Sequence, residues 1–129
     1  MKNNNRKKAL IIDDDQDLLE MYGLKFLREG FSVEKAKNGA WGLRRIKEEP
    51  FDIVLLDMSM PAMNGLEMLK SIEAEKAQRE FPKIIALSNT ALDSEMAAMR
   101  KAGAGRCFIK IKVTPAEVCE EAIKLLNGK

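Results

Sequence analysis

"FDIVLLDMSMPAMNG", residues 51–65, sets four apolar residues, Ile53 to Leu56, directly against a carboxylate, Asp57. An apolar run without alternation reads as a strand covered on both faces, the kind that parallel sheets use. Burying a lone carboxylate is costly, so Asp57 at the tip of such a strand needs a partner or a use. Pro61 and Gly65 then mark a loop before the next helical pattern.

Working outward, strand-like and helix-like segments alternate along the whole chain. "ALII" (9–12), "FSVEKA" (31–36), "DIVLL" (52–56), "KIIALS" (83–88) and "CFIK" (107–110) read as strands. Between them, helical spacing or helix signals occur over 15–29, 38–49, about 63–76 and 91–102. Gly30 and Gly103 stop two of these helices. A last helix over 114–128 opens with Thr114 as N-cap, Pro115 at the first helical position and Glu117 at the third, the pattern of a capping box. Five β–α units in series predict a doubly wound α/β fold with a parallel five-stranded sheet. Trp41 falls on the water-facing side of its helix, and its neighbour Gly42 on the inner side.

Composition narrows the function. At 129 residues with 46% apolar and 33% charged residues, the chain fits one soluble globular domain. A net charge of +2 without a basic stripe predicts no direct nucleic-acid binding. No apolar run is long enough for a membrane span, and residues 1–8 read as a basic, polar tail rather than a signal peptide. Cys107 and Cys119 have no metal or redox spacing, which fits a cytoplasmic protein. Without a single histidine, His-ligated metals and His-based nucleophilic catalysis are excluded.

In a doubly wound fold, functional groups collect beyond the carboxyl ends of the strands. The first strand ends in Asp13, Asp14 and Asp15, the third in Asp57, the fourth in Ser88 followed by Asn89 and Thr90, and the fifth in Lys110. Crowded carboxylates repel one another unless a cation lies among them. Oxygen ligands without histidine or thiolate select Mg²⁺ or a similar hard ion. A Mg²⁺ site beside a carboxylate, a hydroxyl and a lysine suits phosphoryl transfer, with the carboxylate as nucleophile. Asp15 and Asp17 have a plainer use, as caps at the positive end of the helix that follows. For Met58, Met60 and Met63 around the site, apolar packing is the plain reading, with an adaptable docking surface as the alternative.

"LIIDDDQDLL", "FDIVLLDMSMPAMNGLEML", "IIALSNTA" and "FIKIKVTPAE" together resemble the receiver domain of response regulators, the phospho-accepting module of two-component signalling. The resemblance covers essentially the whole chain, placed at residues 9–129. It implies a flavodoxin-like strand order of 2-1-3-4-5, with Asp57 as the phosphoacceptor, exposed at its strand tip. It implies Mg²⁺ held by Asp13, Asp14, Asp57 and the backbone carbonyl of Ser59. Ser88 would be the switch hydroxyl and Lys110 the cation that pairs with the phosphoryl group. The implied partners are a histidine kinase or phosphotransfer protein and a downstream protein, with dimerisation on phosphorylation as an option. The chain would catalyse only its own phosphoryl transfer and dephosphorylation.

Two positions depart from the family pattern. Cys107 stands where an aromatic usually precedes the lysine by three residues, which predicts a smaller movement at the fifth strand. Ile111 stands where Pro usually follows the lysine, which predicts a turn reshaped through Lys112 and Val113, with Lys110 still within salt-bridge reach of Asp57. Two other functions compete. One is a receiver-like binding module that works without phosphorylation. The other is a haloacid-dehalogenase-type phosphatase with Asp13 as nucleophile and Asp15 two residues on, but Gln16 and Asp17 follow where that family expects Gly-Thr or Gly-Val.

Overall fold

The computed structural model describes residues 6–61, 63–75, 82–90 and 92–128. Five strands, β1 (Lys8–Ile12), β2 (Ser32–Ala36), β3 (Ile53–Asp57), β4 (Lys83–Ser88) and β5 (Arg106–Ile109), alternate with five helices. The helices are α1 (Gln16–Arg28), α2 (Gly39–Glu48), α3 (Gly65–Glu75), α4 (Asp93–Lys101) and α5 (Pro115–Leu126). All strand pairings are parallel, in the order β2-β1-β3-β4-β5. This is the doubly wound, flavodoxin-like arrangement that the chain's pattern and its family resemblance predict.

The register aligns the carboxyl ends of the strands. Ile12 pairs with Ala36 and Leu56, Asp57 with Leu87, and Ser88 with Ile109. Two further backbone bonds carry the ladder past the strands, from Asp13 N–H to the Ala36 carbonyl (3.1 Å) and from Met58 N–H to the Leu87 carbonyl (2.7 Å). Residues that follow β1, β3, β4 and β5 therefore meet at one rim.

Alternate side chains feed two apolar layers. Ala9, Ile11, Ile53, Leu55, Ile85 and Leu87 face α1 and α5, while Leu10, Ile12, Val54, Leu56, Ile84 and Ala86 face α2, α3 and α4. Gly42 lets α2 lie against β1, because a Cβ there would come within 2.5 Å of the Ile12 side chain. Trp41, next to it, is exposed, as its helical position predicts. Gly30 follows α1 at φ 99°, a conformation glycine takes without strain.

Helix starts follow local chemistry. Asp15 caps α1 by accepting from the N–H groups of Asp17 (2.9 Å) and Leu18 (3.3 Å). Asn38 accepts from Trp41 N–H at 2.7 Å, and Asn64 from Glu67 N–H at 3.2 Å. Thr114 and Glu117 form the expected capping box, with bonds of 3.1 and 2.9 Å. The start of one helix differs from the sequence expectation. α3 begins at Gly65 rather than Met63, since Met63 is drawn into a turn by its bond to the Met60 carbonyl. The expected end of that helix at Lys76, the helix start at residue 91 and most of the 1–8 tail lie outside the described residues.

Candidate functional site

Asp57 ends β3 and is only 2% exposed. The expectation of an exposed carboxylate at the strand tip is therefore corrected. Asp57 is roofed by its neighbours, because its partners come from two separate loops. Its Oδ1 accepts from Ser59 N–H at 2.9 Å, and its Oδ2 lies 2.9 Å from Lys110 Nζ. The question posed by a carboxylate at the end of a buried strand thus has a first answer: a cation and an amide satisfy it.

Lys110 does not end β5 as the sequence suggests. It opens a short 3-10 turn, Lys110–Lys112, that follows the strand. The turn leaves Ile111 88% exposed and aims Lys110 inward, where Nζ also lies 3.3 Å from Asp13 Oδ2. Lys110 is within salt-bridge reach of Asp57, as expected.

Asp13 is also 2% exposed, and its Oδ1 accepts from Asp15 N–H at 2.9 Å. Burial, opposed by that backbone bond and reinforced by the charge of Asp57, pushes the Asp13 carboxyl up to about 6. Burial works to lower the Lys110 pKa, but the bond to Asp57 and the charges of Asp57 and Asp13 outweigh it and leave it raised. Tyr22, packed beneath on α1, is pushed up to about 12 by burial and by the Asp13 charge.

Asp14 is exposed, yet one carboxylate oxygen from each of Asp13, Asp14 and Asp57 falls within 4.8 Å of the others. Three hard oxygen donors at that spacing fit a divalent cation such as Mg²⁺. Asp15 points elsewhere, engaged as the α1 cap, and Asp17 lies in the first turn of α1. Their plainer reading is the one the structure bears out.

Ser88 ends β4, 6% exposed, and its Oγ accepts from Thr90 N–H at 3.1 Å. It lines a cavity of about 340 Å³ with Met58, Gly65, Ser94 and Met99. Ser59 ties the β3–α3 loop to the β4–α4 loop, its Oγ accepting from Asn89 N–H at 3.2 Å. Cys107 is half-buried on the α4 side, 4.0 Å from the Met96 carbonyl, and burial raises its thiol pKa. Met60 is buried, and Met58 and Met63 pack partly buried against the same layer, as the plain reading holds.

Sequence reasoning missed the second partner of Lys110, Asp13, and the loop-holding hydroxyls of Ser59 and Thr90. Serines and threonines in loops are too common to signal this. The described residues include no helix long and apolar enough to cross a membrane.

Residues 9–123 match the response regulator receiver domain family, and the chain belongs to it. Over 92 residues it is 36% identical to the transcriptional regulatory protein GlrR of Escherichia coli (strain K12), covering 71% of this chain and 20% of that protein. Over 65 residues it is 45% identical to the transcriptional regulatory protein CpxR homolog of Haemophilus influenzae, covering 50% of this chain and 28% of that protein. The chain thus spans less than a third of the length of these curated relatives. A CheY-like response regulator receiver domain protein from Methanospirillum hungatei JF-1 superposes with a TM-score of 0.85 at 28% identity, covering 96% of each chain. The chemotaxis protein CheY4 of Vibrio cholerae shares the fold, with a TM-score of 0.81 at 23% identity over 92% of this chain and 98% of that one. The chain is a signalling domain of the two-component type.

Proposed function

We propose that this receiver domain takes a phosphoryl group onto Asp57 from the phosphohistidine of a histidine kinase or phosphotransfer protein. The observation that carries the reading is Lys110 Nζ, 2.9 Å from Asp57 Oδ2, beside three carboxylates that converge within 4.8 Å. A carboxylate oxygen of Asp57 forms the new O–P bond as the P–N bond breaks, and the imidazole nitrogen keeps the electron pair. Asp13, Asp14, Asp57 and the backbone carbonyl of Ser59 would hold Mg²⁺. When bound, Mg²⁺ would neutralise phosphoryl oxygens and the crowded carboxylates.

The chain's own residues do the rest. Ser59 N–H holds one carboxylate oxygen of Asp57, which fixes the direction of attack. Lys110 gives up part of its contact with Asp57 to pair with the phosphoryl oxygens, where its charge counts for more than in water. Ser88 turns its hydroxyl toward the phosphoryl group. The product is a change in affinity for a downstream protein, dimerisation being one route, and exchange with such a kinase places the domain in the cytoplasm. The unit that does this is residues 9–129, with residues 1–8 as a basic lead-in whose last residue, Lys8, opens β1.

Incubation with acetyl phosphate and Mg²⁺, followed by intact-mass measurement, tests the reading. The wild-type protein gains one phosphoryl group, and Asp57→Asn gains none. No gain by the wild-type protein favours a binding module that works without phosphorylation. Equal gain by Asp57→Asn, or labelling traced to Asp13, sinks the assignment of Asp57.

A further inference from the structure

α4 starts without a side-chain cap of its own: Leu92 is its N-cap residue and supplies no side-chain bond. The loop before it compensates with hydroxyls. Ser88 Oγ accepts from Thr90 N–H, and Thr90 Oγ1 accepts from Leu92 N–H, each at 3.1 Å. The Leu92 carbonyl then accepts from the N–H groups of Glu95 (3.1 Å) and Met96 (3.0 Å). Each acceptor belongs to a residue that donates in the link before it. The chain runs from the hydroxyl beside the reactive carboxylate to the first turn of α4. It ends at Met96, whose carbonyl is the group that Cys107 faces.

We propose that Thr90 is the positioning residue through which the state of Asp57 reaches α4, and that Cys107 takes no active part. The proposal rests on the reading of Ser88 as the hydroxyl that turns toward the phosphoryl group. A serine side chain moves between staggered rotamers, so a hydroxyl turned to a new partner leaves its former one. Thr90 N–H then loses its acceptor, and the turn that Thr90 Oγ1 imposes on Leu92 loses its anchor. The Leu92 N–H, at the helix start, has no intrahelical partner to fall back on, so the residue whose carbonyl holds Glu95 and Met96 loosens and the first turn of α4 with it. The cavity of about 340 Å³ between Ser88 and α4 gives that turn room to move. Cys107 offers no comparable lever. Its thiol has too little volume to fill the space a turning serine vacates, and it meets the relay only at its far end.

Amide hydrogen exchange read by NMR, with Mg²⁺ and beryllofluoride as the probe and fluorine NMR to establish that it is bound, tests the proposal. In the wild-type protein, beryllofluoride speeds exchange at Leu92, Glu95 and Met96 about fivefold or more, the scale of a lost cap. The amides of α1 do not change. Thr90→Val exchanges fast at these positions before any beryllofluoride is added and shows no further response. Thr90→Ser keeps the wild-type response, and so does Cys107→Ala. Unchanged exchange in the wild-type protein with beryllofluoride bound overturns the proposal. So does a wild-type response in Thr90→Val, or a response abolished by Cys107→Ala. Failure of beryllofluoride to bind at all is a distinct result: it refutes the phosphoacceptor reading itself, and this proposal with it.

Discussion

The two faces of the sheet are built differently. On the α1/α5 face, Tyr22, Phe26 and Phe31 pack with Val118 and Ala122, and the rings of Phe26 and Phe31 lie 5.0 Å apart. Both helices there are closed at their N-termini by side chains, Asp15 on one and the Thr114–Glu117 box on the other. The opposite face is rich in methionine. Met60, Met68 and Met99 are buried in it, Met58, Met63 and Met96 pack partly buried against it, and α4 has no side-chain cap. Aromatic contacts have preferred geometries, whereas methionine bends to fill whatever space is left. One face is thus a stiff support and the other a compliant one. Ser88 continues the alternation of Ile84 and Ala86, so its hydroxyl lies on the compliant side.

The largest expected effect tests the stiff face. Phe26→Ala should lower unfolding free energy by about 3–5 kcal/mol, since a fully buried ring leaves a cavity between fixed neighbours. Met68→Ala, also a truncation and buried on the other face, should cost less, about 2–3 kcal/mol, because the neighbouring methionines can close on the gap. Urea titrations of the two variants compare the faces directly, and equal losses would break the contrast.

Next comes the rim where the faces meet. Asp13 has its carboxyl raised to about 6 from an ordinary 3.8, so the folded protein holds a proton there that the unfolded chain has released. Stability from this group is full below pH about 4 and is lost as pH rises through about 6, on the order of a few kcal/mol. Asp13→Asn should therefore remove a downward slope between those limits in metal-free buffer. Denaturation midpoints of both proteins across that range check it. Mg²⁺ should relieve the same crowding. An ion bound only to the folded state adds about 2.7 kcal/mol at a hundredfold excess over its dissociation constant. The thermal midpoint should rise with Mg²⁺, and Asp14→Ala should abolish the rise. A wild-type midpoint that ignores Mg²⁺ would count against the carboxylate trio as a metal site.

The smallest effects concern the helix starts. Thr114→Ala should cost about 1 kcal/mol by opening the capping box on α5. Leu92→Asp supplies α4 with the side-chain acceptor it lacks and should stabilise the protein by roughly 0.5–1 kcal/mol. Chemical denaturation reads both. Opposite signs would sharpen the contrast between a capped and an uncapped helix, and a destabilised Leu92→Asp would blunt it.

Much of this molecule is legible in local sequence. Ile53–Leu56 reads as a buried strand because nothing polar interrupts it, and Thr114-Pro115 with Glu117 reads as a helix start because the capping groups lie within one turn. The strand ends also point to Asp13, Asp57, Ser88 and Lys110, since a doubly wound topology sends every carboxyl end to one rim. Here the sequence alone is enough, because periodicity, caps and chain direction are properties of neighbouring residues. Only the tertiary structure decides how those ends are used. Asp14 joins the carboxylate cluster while Asp15, one residue on, turns back to cap α1. Asp57 lies buried instead of open, because Lys110 crosses from the fifth strand's turn to lie on it and on Asp13. Ser59 and Thr90 become the holders of a loop through single hydroxyl bonds. The physical reason is that these contacts join residues from different loops. Their distances follow from strand register and loop shape, and no local pattern in the chain encodes either.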